Sequence, residues 1–307
     1  MVRSTPSMRV NDAPAAEWAV DRAAIDHALA ALSEQLPTDI EPAVGEAIRY
    51  SLLGGGKRLR GLLFLAAYRT AGGAEDAKGL AAAIEVVHAY SLVHDDLPCM
   101  DDDDMRRGRA TVHRVFGVRV AMAAGVAMVP LAASAGLSAA RGLGLPDEVC
   151  GDVVAMLMRA SGAGGMIGGQ LLDLDGEDRP LSLAELERIH RAKTGALISA
   201  SIELGGLAAL ADRPRMDALS AFGQAIGLAF QIADDVLDVT ATTDRLGKTA
   251  GRDLDLHKST YPALLGIGGA TERANALVAE GCAALRAAGL LSTELDALAR
   301  FVVERDS

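Results

Sequence analysis

Aromatic residues are scarce in this chain, at 3% of 307 residues, and no useful length of sequence alternates apolar with polar residues as a strand does. Ala, Leu and Arg are abundant instead, which favours helices over sheets. Basic residues are also in deficit, since 30 Lys and Arg stand against 41 Asp and Glu, for a net charge of -11. This balance excludes a general nucleic-acid surface, because phosphate binding needs an uncompensated basic face. We therefore predict an all-α protein in which a polyanionic ligand would need a local basic site or metal ions.

Cysteine is almost absent, with Cys99, Cys150 and Cys282 at no CxxC spacing. Neither a disulfide framework nor a zinc site is indicated, and we expect a cytoplasmic location. The first residues contain acid and lack an apolar signal core, so we interpret 1–16 as a polar, mobile tail and 17–307 as one helical domain.

One long uncharged stretch, Val120 to Ala140, could span a bilayer by length alone. It consists mostly of Ala, Gly, Met and Ser with Pro130 inside, a weakly apolar composition that favours a buried bundle helix, and we predict no transmembrane segment. The helical pattern around it predicts a continuous helix from Arg114 to Arg141 and another from Leu183 to Ala211.

The most charged stretch of the chain is HDDLPCMDDDDMRRGR, residues 94–109. Asp95 and Asp96 end an apolar helix, and Pro98 is expected to break it shortly afterwards. A second acidic cluster lies in FQIADDVLDV, where Asp234 and Asp238 are four positions apart and share one helix face. Its apolar flanks indicate a mostly buried helix, in which unpaired carboxylates are costly, so a divalent cation is the natural compensator.

Hard carboxylate oxygens suit Mg²⁺, which is held by one or two carboxylates together with substrate phosphates. Two separated aspartate clusters therefore predict a diphosphate held between metal ions. An EF-hand is excluded, because its sixth and twelfth positions would be Met100 and Arg106, or Arg106 and Val112, in place of Gly and Glu.

A basic segment, GGGKRLR at residues 54–60, places cations in the first turn of a predicted helix, where the macrodipole disfavours them. An anion bound at this helix start would explain the arrangement. A phosphate-binding loop of the Walker type is excluded there, since no Ser or Thr follows the Lys, and Gly247 to Thr249 lacks the required earlier Gly.

Six motifs in this order resemble the trans-isoprenyl diphosphate synthases, and bacterial farnesyl diphosphate synthases most of all: GGGKRLR, HDDLPCMDDDD, GGQLLD, HRAKTG, FQIADDVLD and KSTYPALL. The resemblance covers about Ile40 to the C-terminus. It implies the isoprenoid synthase fold, a single-domain bundle of long helices around a central cavity, and a homodimer. It also implies an Mg²⁺-dependent prenyltransferase that uses three ions per site.

The resemblance assigns roles to individual residues. The Mg²⁺ ligands would be Asp95, Asp101 and Asp234. The carboxylates supporting them, directly or through water, would be Asp96, Asp235 and Asp238. The allylic diphosphate would be held by Arg106, Lys193, Thr194, Gln231, Lys248 and Lys258. The isopentenyl diphosphate would be held by Lys57, Arg60, His88 and Arg107. Arg109, His94 and His113 have no such role and are interpreted as structural.

The implied reaction ionises an allylic diphosphate, dimethylallyl or geranyl, to a carbocation that isopentenyl diphosphate attacks, with loss of a proton. No protein nucleophile is needed, so Cys99 is interpreted as a spacer. Farnesyl diphosphate is the expected product, with geranylgeranyl or another short-chain diphosphate as the alternative. A terpene cyclase would usually lack the intact isopentenyl site, and a non-catalytic subunit would be expected to have lost aspartates.

Product length is expected to depend on the helix before the first aspartates. Tyr90 and Ser91 lie about one turn N-terminal to Asp95, where an aromatic ring would form the floor that the growing tail meets.

The chain also departs from the family pattern, since Val118 and Val126 replace acidic residues and Gly61 replaces Pro. We expect the two valines to affect helix packing near the cavity, without removal of a metal ligand.

Overall fold

A computed structural model describes residues 12–177, 179–240 and 259–304 of the chain. Helices make up nearly all of the described regular structure, which confirms the all-α prediction. The helices are α1 Asp12–Glu34, α2 Pro42–Leu52, α3 Leu59–Thr70, α4 Lys78–Asp95, α5 Val112–Phe116, α6 Val118–Gly142, α7 Asp147–Ser161, α8 Met166–Leu174, α9 Leu183–His190, α10 Ala196–Ala208, α11 Arg213–Thr240, α12 Tyr261–Ala287 and α13 Thr293–Glu304. The first helix begins at Asp12, inside the range interpreted as a tail, and residues 1–11 lie outside the described part.

Two short strands were not predicted. β1 (Met105–Arg106) pairs antiparallel with β2 (Arg109–Ala110), directly after the first aspartate cluster. The connecting residues Arg107 and Gly108 both have positive φ, 52° and 72°, as a tight hairpin turn requires. The three arginines that follow the aspartates therefore lie on a hairpin, and their side chains point in different directions.

Two predicted helices are interrupted. The helix expected from Arg114 to Arg141 is divided into α5 and α6 at Gly117, whose φ of 82° leaves the helical region. The helix expected from Leu183 to Ala211 contains a π-helical turn, Arg191–Gly195, between α9 and α10. Such turns insert one extra residue into a helix and frequently occur at functional sites.

Side-chain caps define several helix starts. Ser182 and Glu185 form a reciprocal capping box at α9. Glu41 accepts the amide hydrogen of Val44 at 3.0 Å at the start of α2. At α12, the Thr260 hydroxyl accepts the amide hydrogen of Ala263.

Three helices form the centre of the bundle. In α3, α4 and α10 most residues are buried, on more than one side of each helix. α10 packs against α3, α7 and α11, and α4 packs against α3 and α6. Because α4 lies inside the bundle, the aspartates at its end are carried on a rigid element.

α6 is the described helix that is long and apolar enough to cross a membrane by length and composition. Its inner face packs against α4, as predicted for a bundle helix, but its outer face is exposed. Val118, Met122 and Val126 lie on that outer face with 39%, 49% and 63% of their surface exposed. The expectation that Val118 and Val126 lie near the cavity was therefore wrong, because both side chains point outward from the bundle.

Candidate active site

The first aspartate cluster folds back on the end of α4. The amide of Asp101 donates to the carbonyl of Asp95 at 2.8 Å, and the amides of Met100 and Asp102 donate to the carbonyl of Leu97. This turn places Asp101 beside Asp95. Burial raises the pKa of Asp95 to about 6; Lys193 opposes the shift and Asp101 adds to it. A buried carboxyl with a carboxylate neighbour requires a positive partner to ionise at neutral pH.

Arg106 offsets the repulsion within this cluster. Its Nε donates to Oδ1 of Asp96 at 2.6 Å, and its Nη2 donates to Oδ2 of Asp103 at 3.2 Å. Asp96 is only 3% exposed, and burial raises its pKa to about 7 although Arg106 opposes the shift. Arg106 thus joins the two ends of the aspartate loop.

The other two arginines point to different places. Arg107 donates to the carbonyl of Gly55 in the basic loop, and its Nη2 lies 3.3 Å from Nε2 of His88. Arg109 instead lies over the ring of Tyr50, with its guanidinium carbon 4.1 Å from the ring centroid. The structural interpretation of Arg109 therefore has a physical basis in this cation–π contact.

The glycine-rich loop before α3 approaches the hairpin closely. Gly55 and Gly56 have φ of 73° and 146°. A Cβ at Gly56 would come within 2.5 Å of Nη1 of Arg107, so a larger residue there would displace the end of the Arg107 side chain from its present position. The basic loop and the aspartate hairpin thereby border one site.

His88 faces this basic group from α4. Burial, with Arg60 and Arg107 nearby, lowers its pKa well below the ordinary value, so the imidazole is neutral. Its Nδ1 is buried without a hydrogen-bond partner among the described residues. A buried polar atom of this kind indicates a position that a ligand or water completes.

Lys193, on the π-helical turn, projects into the first cluster. Its Nζ donates to Oδ2 of Asp173 at 2.6 Å. Burial alone would lower the pKa of Lys193, but the carboxylates of Asp173, Asp101 and Asp95 raise it above its ordinary value. The ammonium group is therefore charged and lies among these carboxylates.

Thr194, the next residue, reaches the second cluster. Its hydroxyl donates to Oε1 of Gln231 at 2.7 Å, and Nε2 of Gln231 donates to Oδ1 of Asp235 at 3.1 Å. The other oxygen of Asp235 lies 3.1 Å from Nε2 of His190 and accepts the amide hydrogen of Tyr261 at 3.0 Å. Both oxygens of Asp235 are thus engaged by the protein, so it supports the cluster through these hydrogen bonds. The π-helical turn borders both aspartate clusters.

The remaining residues predicted for the second cluster differ in exposure. Asp238 is 6% exposed and Asp234 is half-buried, both on α11. Lys248 and Lys258 lie outside the described residues. The apolar flanks thus bury this helix, as the sequence indicated.

Tyr90 is fully enclosed. It is 2% exposed, its hydroxyl donates to the carbonyl of Ser161 at 3.1 Å, and its ring meets His94 edge-on at 5.5 Å between centroids. Burial raises its pKa to about 12. The hydroxyl of Ser91 donates back to the carbonyl of His88 at 2.8 Å. Tyr90 therefore bridges α4 and the end of α7.

Two residues of the GGQLLD motif received no role in the sequence analysis. Asp173 is the direct partner of Lys193, and Gln170 donates to Oδ1 of Asp101 at 3.4 Å. Both stand on α8, whose Gly169 touches the Lys193 backbone so closely that a Cβ would lie 2.1 Å from its amide nitrogen. The spacing of Gln170 and Asp173 on one helix face could have indicated them.

A small cavity and a larger groove are formed by described residues. The small cavity, of ≈ 60 Å³, lies between Asp96, Arg106, Arg107 and Tyr50, beside the first cluster. The larger groove, of ≈ 370 Å³, lies between α7, α10 and α11 and contains none of the predicted site residues. Asp95, Asp101, Asp234 and Lys193 line neither of these spaces, so we place the chemistry where these charged groups converge, beside the smaller cavity.

The donor set fits Mg²⁺. All three predicted ligands, Asp95, Asp101 and Asp234, offer hard carboxylate oxygens. The raised pKa of Asp95 and the buried Oε1 of Gln170, which has no hydrogen-bond partner among the described residues, both indicate a position completed by a cation with its water. The side-chain ligand atoms of Asp102, Asp104 and the buried His113 also lie within 4.8 Å of one another, but the two carboxylates are exposed and we assign no metal to them. An all-helical bundle that combines two aspartate clusters with buried cations defines a class of proteins suited to diphosphate ligands.

Comparisons with known proteins identify the family. The polyprenyl synthetase family profile matches residues 41–284. Farnesyl diphosphate synthase of Escherichia coli (strain K12) is 44% identical over 287 residues, which are 92% of this chain and 95% of the relative. The chloroplastic geranylgeranyl pyrophosphate synthase of Capsicum annuum is 41% identical over 285 residues, 90% of this chain and 75% of the relative. The chain therefore belongs to the polyprenyl synthetase family, which confirms the resemblance.

A solved structure agrees. The geranyltransferase of Helicobacter pylori, complexed with magnesium and isoprenyl diphosphate, matches with a TM-score of 0.80 at 30% identity and covers 99% of this chain and 98% of its own. The isoprenyl diphosphate synthase architecture expected from the motifs is thereby confirmed.

Proposed function

We propose that this protein is an Mg²⁺-dependent prenyltransferase that condenses isopentenyl diphosphate with dimethylallyl and then geranyl diphosphate, giving farnesyl diphosphate. The observation that supports the proposal most strongly is the position of the Lys193 ammonium group, which lies half-buried among Asp95, Asp101 and Asp173. Such a group can hold phosphate oxygens while its carboxylate neighbours bind metal. Membership of the polyprenyl synthetase family supports the same assignment.

The allylic diphosphate is bound by the aspartate clusters and the cations between them. Asp95, Asp101 and Asp234 would hold three Mg²⁺ ions, and when bound these supply positive charge that stabilises the departing diphosphate. Lys193 and Arg106 add fixed cations at the same place. The allylic C–O bond breaks, the electron pair leaves with the diphosphate, and an allylic carbocation remains.

Supporting residues orient this half of the site. Thr194 and Gln231 are joined by the hydrogen bond from the Thr194 hydroxyl to Oε1 of Gln231, and their remaining polar groups bind the ligand. Lys248 and Lys258 complete the cation set in this proposal on the strength of their motifs. Asp96 and Asp238 support the ligands from buried positions, and Asp235 does so through Gln231.

Isopentenyl diphosphate binds on the other side, at the basic loop. Lys57, Arg60 and Arg107 bind its phosphates, and the neutral His88 supplies a hydrogen bond from a buried position. Its double bond attacks the carbocation, a new C–C bond forms, and a proton leaves to the departed diphosphate. No side chain acts as a nucleophile, so Cys99 remains a spacer.

Tyr90 sets the product length in this proposal. Its ring is held between α4 and Ser161 and blocks the direction that a lengthening tail would take from Asp95. Ser91, beside it, is too small to block that path. A C15 product follows, whereas the relationship to the Capsicum annuum geranylgeranyl pyrophosphate synthase keeps a C20 product as the alternative.

The exposed outer face of α6 supports a homodimer. Val118, Met122 and Val126 recur at every fourth position and form an apolar stripe that a second copy would cover. A cytoplasmic location and one domain over 17–307 are part of the same proposal.

The experiment incubates the protein with Mg²⁺, isopentenyl diphosphate and, in turn, dimethylallyl, geranyl and farnesyl diphosphate, and measures product chain length. We expect C15 from the first two and little conversion of the third. Condensation continuing to C20 would replace the farnesyl assignment with the geranylgeranyl one, and a cyclic hydrocarbon formed without isopentenyl diphosphate would indicate a cyclase.

A further inference from the structure

We propose that Glu85 is a positioning residue for the binding of isopentenyl diphosphate. It acts by fixing the start of α3 through its contacts with Arg58 and Gly61. The inference rests on the proposed function, because it concerns the loop assigned to that substrate. The family motifs assign no individual role to Glu85 or Arg58, and Gly61 occupies a position where the family usually has Pro.

Glu85 is a buried carboxylate in the middle of α4, with 1% of its surface exposed. Its Oε1 accepts the amide hydrogen of Gly61 at 3.0 Å, and its Oε2 lies 3.7 Å from Nη1 of Arg58. A charge buried to this degree is retained only when it is paired and hydrogen-bonded. Both of its partners belong to the segment that begins α3.

Arg58 is held in place on several sides. Its φ of 53° and ψ of 33° are in the left-handed region, which is unfavourable for a side chain larger than glycine. Nε donates to Oδ1 of Asp26 at 2.7 Å and Nη2 donates to the carbonyl of Leu52 at 3.0 Å. With Glu85 on its third side, Arg58 is a buried anchor for a strained backbone position.

The start of α3 also needs negative charge. Its first turn contains no acidic residue, and its N-cap Arg58 makes no capping hydrogen bond with its side chain. Free amide hydrogens and basic side chains therefore meet at the positive end of the helix dipole. Glu85 supplies from α4 the carboxylate that this helix lacks, and it does so by accepting the amide hydrogen of Gly61, which a proline would not possess.

The consequence for ligand binding follows from neighbouring residues. Lys57 and Arg60 lie on either side of the Arg58–Leu59 pair, and His88 lies one helical turn after Glu85 on α4. Glu85 thus fixes the position of the basic loop relative to His88, so its loss displaces Lys57 and Arg60 relative to His88. The aspartate clusters, which bind the allylic substrate, are not part of this connection.

The test compares Glu85→Gln with Glu294→Gln. Glutamine keeps the size and an acceptor oxygen at position 85 but removes the charge that pairs with Arg58. Glu294 is a matched control, because its Oε1 lies 2.5 Å from Nη2 of Arg69, near the C-terminal end of α3. For Glu85→Gln we expect KM for isopentenyl diphosphate to rise roughly tenfold, with kcat and KM for geranyl diphosphate within about twofold of wild type. Glu294→Gln should leave both KM values unchanged.

A second pair of variants keeps the proposal testable if Glu85→Gln does not fold. Gly61→Ala and Gly61→Pro both add a Cβ, which would meet the flexible end of Ile25 at 2.8 Å, but only proline removes the amide hydrogen. We expect Gly61→Pro to raise KM for isopentenyl diphosphate above that of Gly61→Ala. Equal values in this pair overturn the role of Gly61, and an unchanged or non-selective KM in Glu85→Gln overturns that of Glu85. Failure of the wild-type protein to condense the substrates would instead refute the proposed function.

Discussion

Replacement of Gly169 by alanine is expected to disable the enzyme without unfolding it. Gly169 lies on α8 against the π-helical turn, and a Cβ there would be 2.1 Å from the amide nitrogen and 2.4 Å from the Cα of Lys193. An ordinary contact needs at least 3.4 Å, so the two backbones must separate by more than 1 Å. Because both atoms are backbone, rotation of a side chain cannot relieve the contact.

The displacement acts on the ammonium group at the centre of the site. Lys193 would move relative to Asp173, to which it donates at 2.6 Å. A misplacement of about 1 Å in catalytic geometry can reduce turnover by about 10²-fold. We therefore expect kcat for condensation of isopentenyl with geranyl diphosphate to fall by about two orders of magnitude, measured in steady state on protein whose helicity is verified by circular dichroism.

Gly205→Ala is the control for this prediction. Its Cβ would lie 2.7 Å from the backbone of Phe64 and Tyr68 on α3, so it is also crowded against backbone, less severely than Gly169, and its neighbours are not site residues. We expect it to lose about 1–3 kcal/mol of stability, as overpacked cores do, with unchanged kcat in the folded protein. If folded Gly169→Ala turns over at the wild-type rate, the position of Lys193 does not determine catalysis.

Four further outcomes are expected. Lys57→Ala should raise KM for isopentenyl diphosphate much more than KM for the allylic substrate. Equal effects on the two KM values would contradict the assignment of Lys57 to the isopentenyl diphosphate site. Tyr90→Ala should lengthen the product to C20 or beyond; a C15 product at the normal rate would locate the floor elsewhere. The raised pKa values of Asp95 and Asp96, about 6 and about 7, mean that their protonated forms stabilise the metal-free fold at low pH and that this stability is lost as the pH rises through those values. Mg²⁺ should therefore raise the melting temperature more at pH 7.5 than at pH 5, and an equal rise would exclude these carboxyls as the coupled groups. Met122→Glu should convert a dimer to a monomer in light scattering, whereas an unchanged mass would exclude the outer face of α6 as the interface.

Much of the fold could be predicted from composition and helical periodicity, because the bundle is built from long apolar helices. The breaks were less predictable. Gly117 ends α5 within a run of residues that are individually helix-compatible, and the π-helical turn at Arg191–Gly195 contains no Pro. That turn depends on close packing, since α8 and α11 approach it at Gly169 and at the Gly195–Gly227 contact. Contacts of this kind are tertiary and leave no local pattern.

The site shows the same division. Runs of aspartate and the basic loop marked the regions that contain the charged groups, because clustered like charges need an explanation wherever they occur. The pairings between them were not readable from the sequence. Asp173 with Lys193 and Glu85 with Gly61 join segments 20 and 24 positions apart and depend on how helices cross. The sequence indicated which segments contribute charged groups to the site, and the structure shows which of these groups pair with one another.

The most direct test of the central claim compares two adjacent aspartates. Asp101 lies inside the site, where Gln170 donates to it, whereas the neighbouring Asp102 is exposed. Incorporation of isopentenyl diphosphate into farnesyl diphosphate should fall by about 10²- to 10³-fold in Asp101→Asn, since charge stabilisation in the transition state is lost, and stay near wild type in Asp102→Asn. Equal activities in the two variants would contradict the assignment of the first aspartate cluster as the part of the site that binds the leaving diphosphate.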